Sequence, residues 1–367
     1  MGDDDQYFID QVKDIIRQKY KITDLGPAKR FLGIHIEYTK FKSVFLHQRD
    51  YAQALITKYA NWCDIFNGVH IKTPLPMNYQ ELVHNTWRPD AHKDAESWHW
   101  YTTFPYFSII GSLLYLSLNT RPVLAHAVNY LSRYSQKPSY GACRCVAHVV
   151  SYLSHRTDKG ITYYYSLDLD LFGMVDANHA NDIETRRSIA GFILAMLGGP
   201  YAWGSKLMSE LAMSSMQSEY QAYFYINIEI KFLLNFLKVL KIAMGLEGLK
   251  VPVFTDSQSA MQTANNPVFH SRTKFFELKW HHTRDATDEI KGWIKLIKIW
   301  TEYMIANGFT KQESLAMFRF TEAVLEGGTP ITSAFYQLAA SQRVRPASPT
   351  FQTILDEGIR HANLNTI

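Results

Sequence analysis

No uninterrupted apolar run in this chain is long enough to cross a bilayer as a helix, which takes about 20 residues. The first residues, Met1-Gly2-Asp3-Asp4-Asp5-Gln6, are acidic, so a secretory leader is not expected, and Gln6 breaks the myristoylation pattern. Cysteine is scarce. Three are present, Cys63, Cys143 and Cys145, and an odd count does not suggest a disulfide framework. Cys143-x-Cys145 lacks a second Cys or His pair at metal-ligand spacing, so it reads as inert. Neither sign of charge dominates: 38 Lys and Arg against 34 Asp and Glu leave +4 and a pI near 8.7. That balance permits nucleic-acid binding without marking a dedicated binder. Together these absences predict a soluble intracellular protein, with nothing to choose between cytoplasm and nucleus.

What is present is core-forming material. The 367 residues suggest about two domains, and 47% of them are hydrophobic against 20% charged, which excludes overall disorder. Aromatics reach 14%, read as core filling. Phe8, Ile9, Val12, Ile15, Ile16 and Tyr20 recur at helical spacing over 8–20, and Asp24-Leu25-Gly26-Pro27 breaks the pattern. Phe31–Tyr38 and Ser43–Leu46 read as a hairpin, and Gln48–Tyr59 as a helix. Residues 73–100 form a polar, Pro-containing connector. A helical region follows over roughly 104–155, broken at Arg121-Pro122 and Lys137-Pro138, and Thr157-Asp158-Lys159-Gly160 marks a turn and boundary.

The second half changes character. Leu171–Asp176, Ser188–Leu197 and Tyr201–Lys206 read as three successive strands. A helix follows over 214–244, with Tyr220, Phe224, Ile228, Leu233, Phe236, Leu237 and Leu240 as its apolar stripe and Gly245 as its stop. Val251–Thr255 is a fourth strand, with short helices expected at Gln258–Ala264 and Lys274–Ile290. Trp293–Trp300 is a fifth strand, and a last helix is expected near Glu302. This order gives an α/β domain with a mixed sheet. Residues 327–367, rich in Ser, Thr, Ala and Pro, read as a poorly ordered tail.

Asp176 and Asp256 end the first and fourth of these strands, and Glu219 lies in the first turns of the long helix. Strand ends and a helix N-terminus are where an α/β sheet gathers a site. Clustered carboxylates are what a two-metal phosphodiester hydrolysis needs, because hard oxygen ligands hold Mg²⁺ ions about 3.5–4 Å apart. Each acid taken alone is more simply read as an ordinary surface or capping residue.

The residues also carry a resemblance. Asp176-Ala177-Asn178-His179-Ala180 with Arg186-Arg187-Ser188-Ile189-Ala190-Gly191 resembles the opening of the ribonuclease H domain of copia-type LTR retrotransposon Pol polyproteins. Trp203-Gly204-Ser205-Lys206, Ser214-Ser215-Met216-Gln217-Ser218-Glu219-Tyr220, Thr255-Asp256-Ser257-Gln258-Ser259-Ala260, the run Asn266 to Lys274, and Trp280-His281-His282-Thr283-Arg284-Asp285 are similar to its later blocks. In the first half, Tyr20 to Pro27, Phe31-Leu32-Gly33-Ile34, Ile110 to Leu116, Thr120-Arg121-Pro122 and Leu131-Ser132-Arg133 resemble the end of the reverse transcriptase and its link onward. The likeness covers roughly residues 7–325. It implies the end of a reverse-transcriptase palm over 1–75, an α+β piece, and a helical thumb- or connection-like region over 76–160. A ribonuclease H-like α/β domain with a mixed five-stranded sheet follows over 161–326, and the tail over 327–367. It further implies Mg²⁺ (or Mn²⁺) held by Asp176, Glu219 and Asp256 for hydrolysis of RNA in RNA–DNA hybrid. Other Pol fragments are implied as partners.

Two departures stand against that pattern. The family's Tyr-x-Asp-Asp polymerase centre lies upstream of the residues given, so polymerase activity is expected to be absent. The family's closing Thr…Ala-Asp…Thr-Lys motif reads Thr301 to Lys311 here, with Asn307 at the Asp position. Asn keeps a neutral oxygen ligand and loses a charge, which should weaken catalysis. Val123 likewise replaces an Asp after Arg-Pro. Arg186, Arg187, Lys206, His281 and Arg284 are candidates for nucleic-acid contact, while Trp203, Trp280 and Trp293 read as core. Two function classes stay open: an impaired ribonuclease H, and a catalytically dead retroelement relic that at most binds nucleic acid.

Overall fold

A computed structural model describes residues 3–39, 43–63, 69–85, 87–165, 171–239, 250–265, 277–328 and 330–331. Among these the chain is mixed α/β, with two sheets and eleven α-helices. Helix α1 (Asp3–Lys19) leads into strands β1 (Arg30–Phe31), β2 (Ile34–Tyr38) and β3 (Ser43–His47). Helices α2 (Arg49–Cys63), α3 (Tyr79–His84), α4 (Ala95–Thr103) and α5 (Tyr106–Asn119) follow. A 3-10 turn at Pro122–Leu124, then α6 (Ala125–Ser132), α7 (Tyr140–Ser154) and β4 (Gly160–Tyr164) complete the first half. The second half runs β5 (Phe172–Asn178), β6 (Ile189–Met196), β7 (Gly199–Leu207), α8 (Ser215–Val239), β8 (Val251–Thr255), α9 (Gln258–Asn265), α10 (Glu277–Thr287) and β9 (Ile294–Lys298). Two 3-10 turns at Thr301–Tyr303 and Ile305–Phe309 precede α11 (Leu315–Glu326). Among the described residues no helix is long and apolar enough to cross a membrane.

The first sheet is antiparallel, in the order β1-β2-β3-β4. The second is mixed, in the order β7-β6-β5-β8-β9: β5, β6 and β7 pair antiparallel, while β8 runs parallel to β5 and β9 parallel to β8. Its strands are apolar nearly throughout because both faces are covered. Met174 points into one core, shared with α5, α6, α7 and α11, and its neighbour Val175 points into the other, under α8. The five-stranded sheet is thus the middle of three layers.

Helix α8 buries Tyr220, Tyr223, Ile226, Ile230, Leu233 and Leu237, a stripe at steps of three and four. Each such side chain contributes about 1.5–3 kcal/mol on burial. Phe224, Ile228 and Phe236, expected on that stripe, lie beside it, and the latter two are exposed. Aromatic and aliphatic residues on both flanks make two helical phases nearly equivalent in sequence, and the fit of Ile226 against Gly173 selects one.

Three other expectations are corrected. The connector over 73–100 contains α3 and the start of α4, because Leu75, Tyr79 and Val83 bury themselves against α7. Strand β4 was not expected; it extends the first sheet by pairing with β3, Leu46 opposite Ile161. The last helix begins at 315 rather than near 302, capped by Ser314. The intervening residues are held as tight turns by side-chain bonds to the acids described next. The stretch Asn266 to Lys274, the helix end at Leu240 to Gly245 and the tail beyond 331 lie outside the described residues.

Candidate metal centre and its surroundings

Because β5 and β8 are parallel neighbours, their C-terminal ends fall at one end of the sheet. Asp176 lies near the first and Asp256 directly after the second. Glu219 arrives from α8, whose start is fixed by two side-chain bonds: the Ser214 hydroxyl accepts from the Gln217 N–H at 3.2 Å, and Gln217 Oε1 accepts from the Met213 N–H at 2.8 Å. One carboxylate oxygen from each of the three acids lies within 4.8 Å of the others. Asp176 and Glu219 are buried and Asp256 is half-buried.

The 3-10 segment closes over this cluster. Gly191, opposite Asp176 on β6, has no room for a side chain: a Cβ there would stand 2.6 Å from Thr310 Cγ2 and 2.8 Å from the Ala306 carbonyl. That close approach lets the Thr310 hydroxyl donate to Asp176 Oδ2 at 2.6 Å. The Thr301 hydroxyl donates to Asp256 Oδ2 at 2.8 Å, and Lys298 Nζ donates to the Asp256 main-chain carbonyl. Asn307 is buried between the two threonines; its Nδ2 donates to the Thr301 carbonyl at 3.3 Å, and its own carbonyl lies 3.0 Å from the Thr310 hydroxyl.

The electrostatics are unbalanced. Burial pushes the Asp176 carboxyl up, with the Asp256 charge adding to it, while Thr310 and Lys311 pull the other way. Burial pushes Glu219 well above the carboxylate range, and Asp176 and Asp256 push it further. Glu219 Oε2 is buried with no hydrogen-bond partner among the described residues. A divalent cation fits such a set: oxygen donors, like charges in contact, and an unfilled acceptor facing them. With no His or Cys among the donors, the set suits Mg²⁺ or Mn²⁺ rather than Zn²⁺.

The candidate contact residues divide. Arg186 and Arg187 occupy the loop between β5 and β6 at the acids' end of the sheet, Arg186 exposed with φ 54°. Lys206, paired with Ala190 near that same end, lies 5.3 Å from the ring centroid of Tyr225 on α8. His281 and Arg284 stand elsewhere. They line a groove of about 1020 Å³ with Lys250, Ile294 and Lys295, at the other end of β8 and β9 from Asp256. His282 is packing material, edge-on to Phe224 and Trp293. Trp203 sits in the first core and donates to the Ser117 carbonyl at 2.8 Å. The Trp280 side chain lies outside the described residues.

Sequence reading passed over Thr301, Thr310, Lys311 and Glu313 as individuals. The first three were visible only as letters of the Thr…Thr-Lys motif. Glu313 is buried, and burial, with some help from Asp176, pushes its carboxyl up to about 7. A Cβ on Gly308 would touch its Oε2 at 3.0 Å, so it sits behind the Asn307 turn.

Fold and site together define a mixed α/β protein with a carboxylate cluster of cation-binding type at one end of its larger sheet. No family model and no solved structure matches the chain. Its homologues include retrovirus-related Pol polyproteins from transposons. It is 30% identical over 309 residues to that of transposon TNT 1-94 from Nicotiana tabacum, covering 84% of this chain and 22% of that protein. It is 26% identical over 316 residues to that of transposon RE2 from Arabidopsis thaliana, covering 86% and 20%, and 26% over 308 residues to that of RE1 from the same plant, covering 83% and 19%. The chain therefore spans about a fifth of the length of these curated relatives.

Proposed function

We propose that this retroelement Pol-derived chain carries a ribonuclease H-type nuclease from β5 to α11, attached to the end of a reverse-transcriptase palm (1–75) and a thumb- or connection-like helical region beginning at 76; the boundary expected at 161 moves past β4, which pairs with β3 in the first sheet. Its reaction is divalent-cation-dependent hydrolysis of the RNA strand in RNA–DNA hybrid. The convergence of Asp176, Glu219 and Asp256 within 4.8 Å carries this reading. The Pol polyprotein relatives support a nucleic-acid substrate.

Asp176, Glu219 and Asp256 would hold the cation, with Asn307 a neutral fourth donor. A divalent cation bound there supplies Lewis acidity to the scissile phosphate and acidifies a water. The chain's own residues do the rest. Thr310 fixes one oxygen of Asp176 and Thr301 one oxygen of Asp256, so both carboxylates are oriented before anything binds. The Lys311 charge reaches both Asp176 and Glu219 and tempers their repulsion. Arg186 and Arg187 present guanidinium groups to phosphate oxygens, and choice of the RNA strand falls to contacts with its 2′-hydroxyls.

Cleavage of a labelled RNA–DNA hybrid by the full chain, in Mg²⁺ and in Mn²⁺, tests this. Activity is expected to be low, better in Mn²⁺, and lost in Asp176→Asn, Glu219→Gln and Asp256→Asn. Cleavage that survives all three would overturn the assignment. Asn307 favours a second reading, in which hybrid is bound and not cut; binding without cleavage in either metal selects it.

A further inference from the structure

The loop that carries Arg186 and Arg187 is gripped from the first half of the chain. Its centre is Asp182, whose side chain is 5% exposed. Asp182 Oδ1 accepts from the Thr185 N–H at 2.8 Å and from the Thr185 hydroxyl at 2.6 Å. Oδ2 accepts from Arg133 Nη1 at 2.8 Å. The Asp182 main chain closes the turn: its carbonyl accepts from the Arg186 N–H at 2.8 Å, and its N–H donates to the Arg187 carbonyl at 3.1 Å. Arg186 thereby sits at φ 54°, a left-handed conformation that a non-glycine residue holds only when its surroundings impose it.

Arg133 directly follows α6 and lies 5.1 Å from the ring centroid of Tyr130. Two contacts from α3 join it: Gln80 Nε2 donates to the Asn181 carbonyl at 3.2 Å, and His84 Nδ1 lies 3.3 Å from Glu184 Oε1. Three side chains of the first half, two from α3 and one from the cap of α6, therefore converge on one loop of the second. Helix packing alone does not call for that; fixing the loop's shape does.

We propose that Arg133 is a positioning residue that, through Asp182, holds the 182–187 turn in the shape that presents Arg186 and Arg187 to nucleic-acid phosphate. The phosphate part rests on the nuclease reading; the clamp does not. Its consequence is that the connection-like region sets the substrate affinity of a site to which it contributes no ligand.

Two measurements on the full chain separate the parts. The first is limited trypsin digestion, following the fragment that ends at Arg186 or Arg187. The folded loop should resist, and Arg133→Met should speed this cut roughly tenfold or more, because local opening governs it. Arg133→Lys should restore most of the resistance. Thr185→Val, at an exposed position outside both cores, should speed the cut to a lesser degree. The second is the affinity for a short RNA–DNA hybrid as a function of salt. Arg133→Met should weaken binding about threefold to tenfold and lower the slope of log affinity against log salt by about 1–2, the signature of lost phosphate contacts. In an Arg186→Ala/Arg187→Ala background it should change neither. Equal cutting in wild type, Arg133→Met and Thr185→Val overturns the clamp. An unchanged salt slope, or a further loss of affinity in the double-alanine background, overturns its link to phosphate. A wild-type chain that binds no hybrid overturns the nuclease reading and that link together, and trypsin still decides the clamp.

Discussion

Two of the regions in which this molecule buries carboxylates do so in opposite ways. At the seam between α11 and the first-half helices, the two acids of α11 are each paired with a guanidinium. Glu326 Oε2 meets Arg121 Nε at 2.7 Å, with both side chains at most 2% exposed. Its other oxygen accepts the Val123 N–H at 3.1 Å, and Arg121 Nη1 donates to the Arg156 carbonyl at 2.8 Å. Burial opposes the Arg121 charge, and Glu326 outweighs it, keeping the guanidinium protonated. A shell further out, Glu322 pairs with Arg156 at 2.7 Å and accepts the Tyr152 hydroxyl at 2.6 Å. At the sheet end, Asp176 and Glu219 are buried against each other and against Asp256, with no ion pair among the described residues. The first arrangement balances its own charges. The second is held together against its own repulsion, the arrangement that makes it the candidate site.

The comparison breaks most visibly under single substitutions. Arg121→Met leaves Glu326 buried and unpaired, and should remove about 3–5 kcal/mol of stability. Asp176→Asn removes one of the crowded charges, and with chelator present should cost nothing or stabilise. Urea unfolding of both variants at pH 8 measures this; similar losses would erase the distinction.

Glu313 sharpens it through pH. A carboxyl raised from 4.5 to about 7 in the fold binds its proton more tightly folded than unfolded. Stability from this group is therefore fully present below about 4.5, falls as pH rises towards 7, and is gone above it, a drop of about 3 kcal/mol. In Glu313→Leu the difference in stability between pH 4.5 and 8 should shrink by about that amount. An identical profile would mean Glu313 is already compensated.

Divalent cation comes next. Mg²⁺ or Mn²⁺ at about a hundred times its dissociation constant should stabilise the chain by about 2.7 kcal/mol. That gain should vanish in Asp256→Asn and persist in Glu322→Gln, at the seam. A thermal shift that survives Asp256→Asn would place the ion elsewhere. The smallest effect is expected at 307. Asn307→Asp adds the missing charge and should raise hybrid cleavage about tenfold, or about 1.4 kcal/mol of barrier. An unchanged rate from an already active chain would show that 307 does not act at the site.

Much of this was legible in sequence, for identifiable reasons. The strands of the larger sheet are near-continuous apolar runs between polar turns, so their order could be read directly, and the three acids stood at strand ends and a helix start. Residues whose roles depend on distant partners were not legible. Strand β4 pairs with a strand more than a hundred residues upstream, and nothing local in Gly160–Tyr164 names that partner. Arg133 was noticed as part of Leu131-Ser132-Arg133, but its partner, Asp182, is 49 residues away. Thr301 and Thr310 have no side-chain pattern of their own; they matter because Gly191 lets their turn approach Asp176. Glu313 interrupts no periodicity, so its burial was invisible.

The Arg121–Glu326 pair joins residues 205 positions apart. On a ribosome adding about 5–20 residues per second, roughly 10–40 s pass between the emergence of one partner and the other. For that interval the first half has a guanidinium whose intended lodging is not yet built, and it stays open on that side to keep the charge in water. Any nascent chain stopped short of α11 would be left in that open form, a substrate for chaperones and proteases however well its strands had paired.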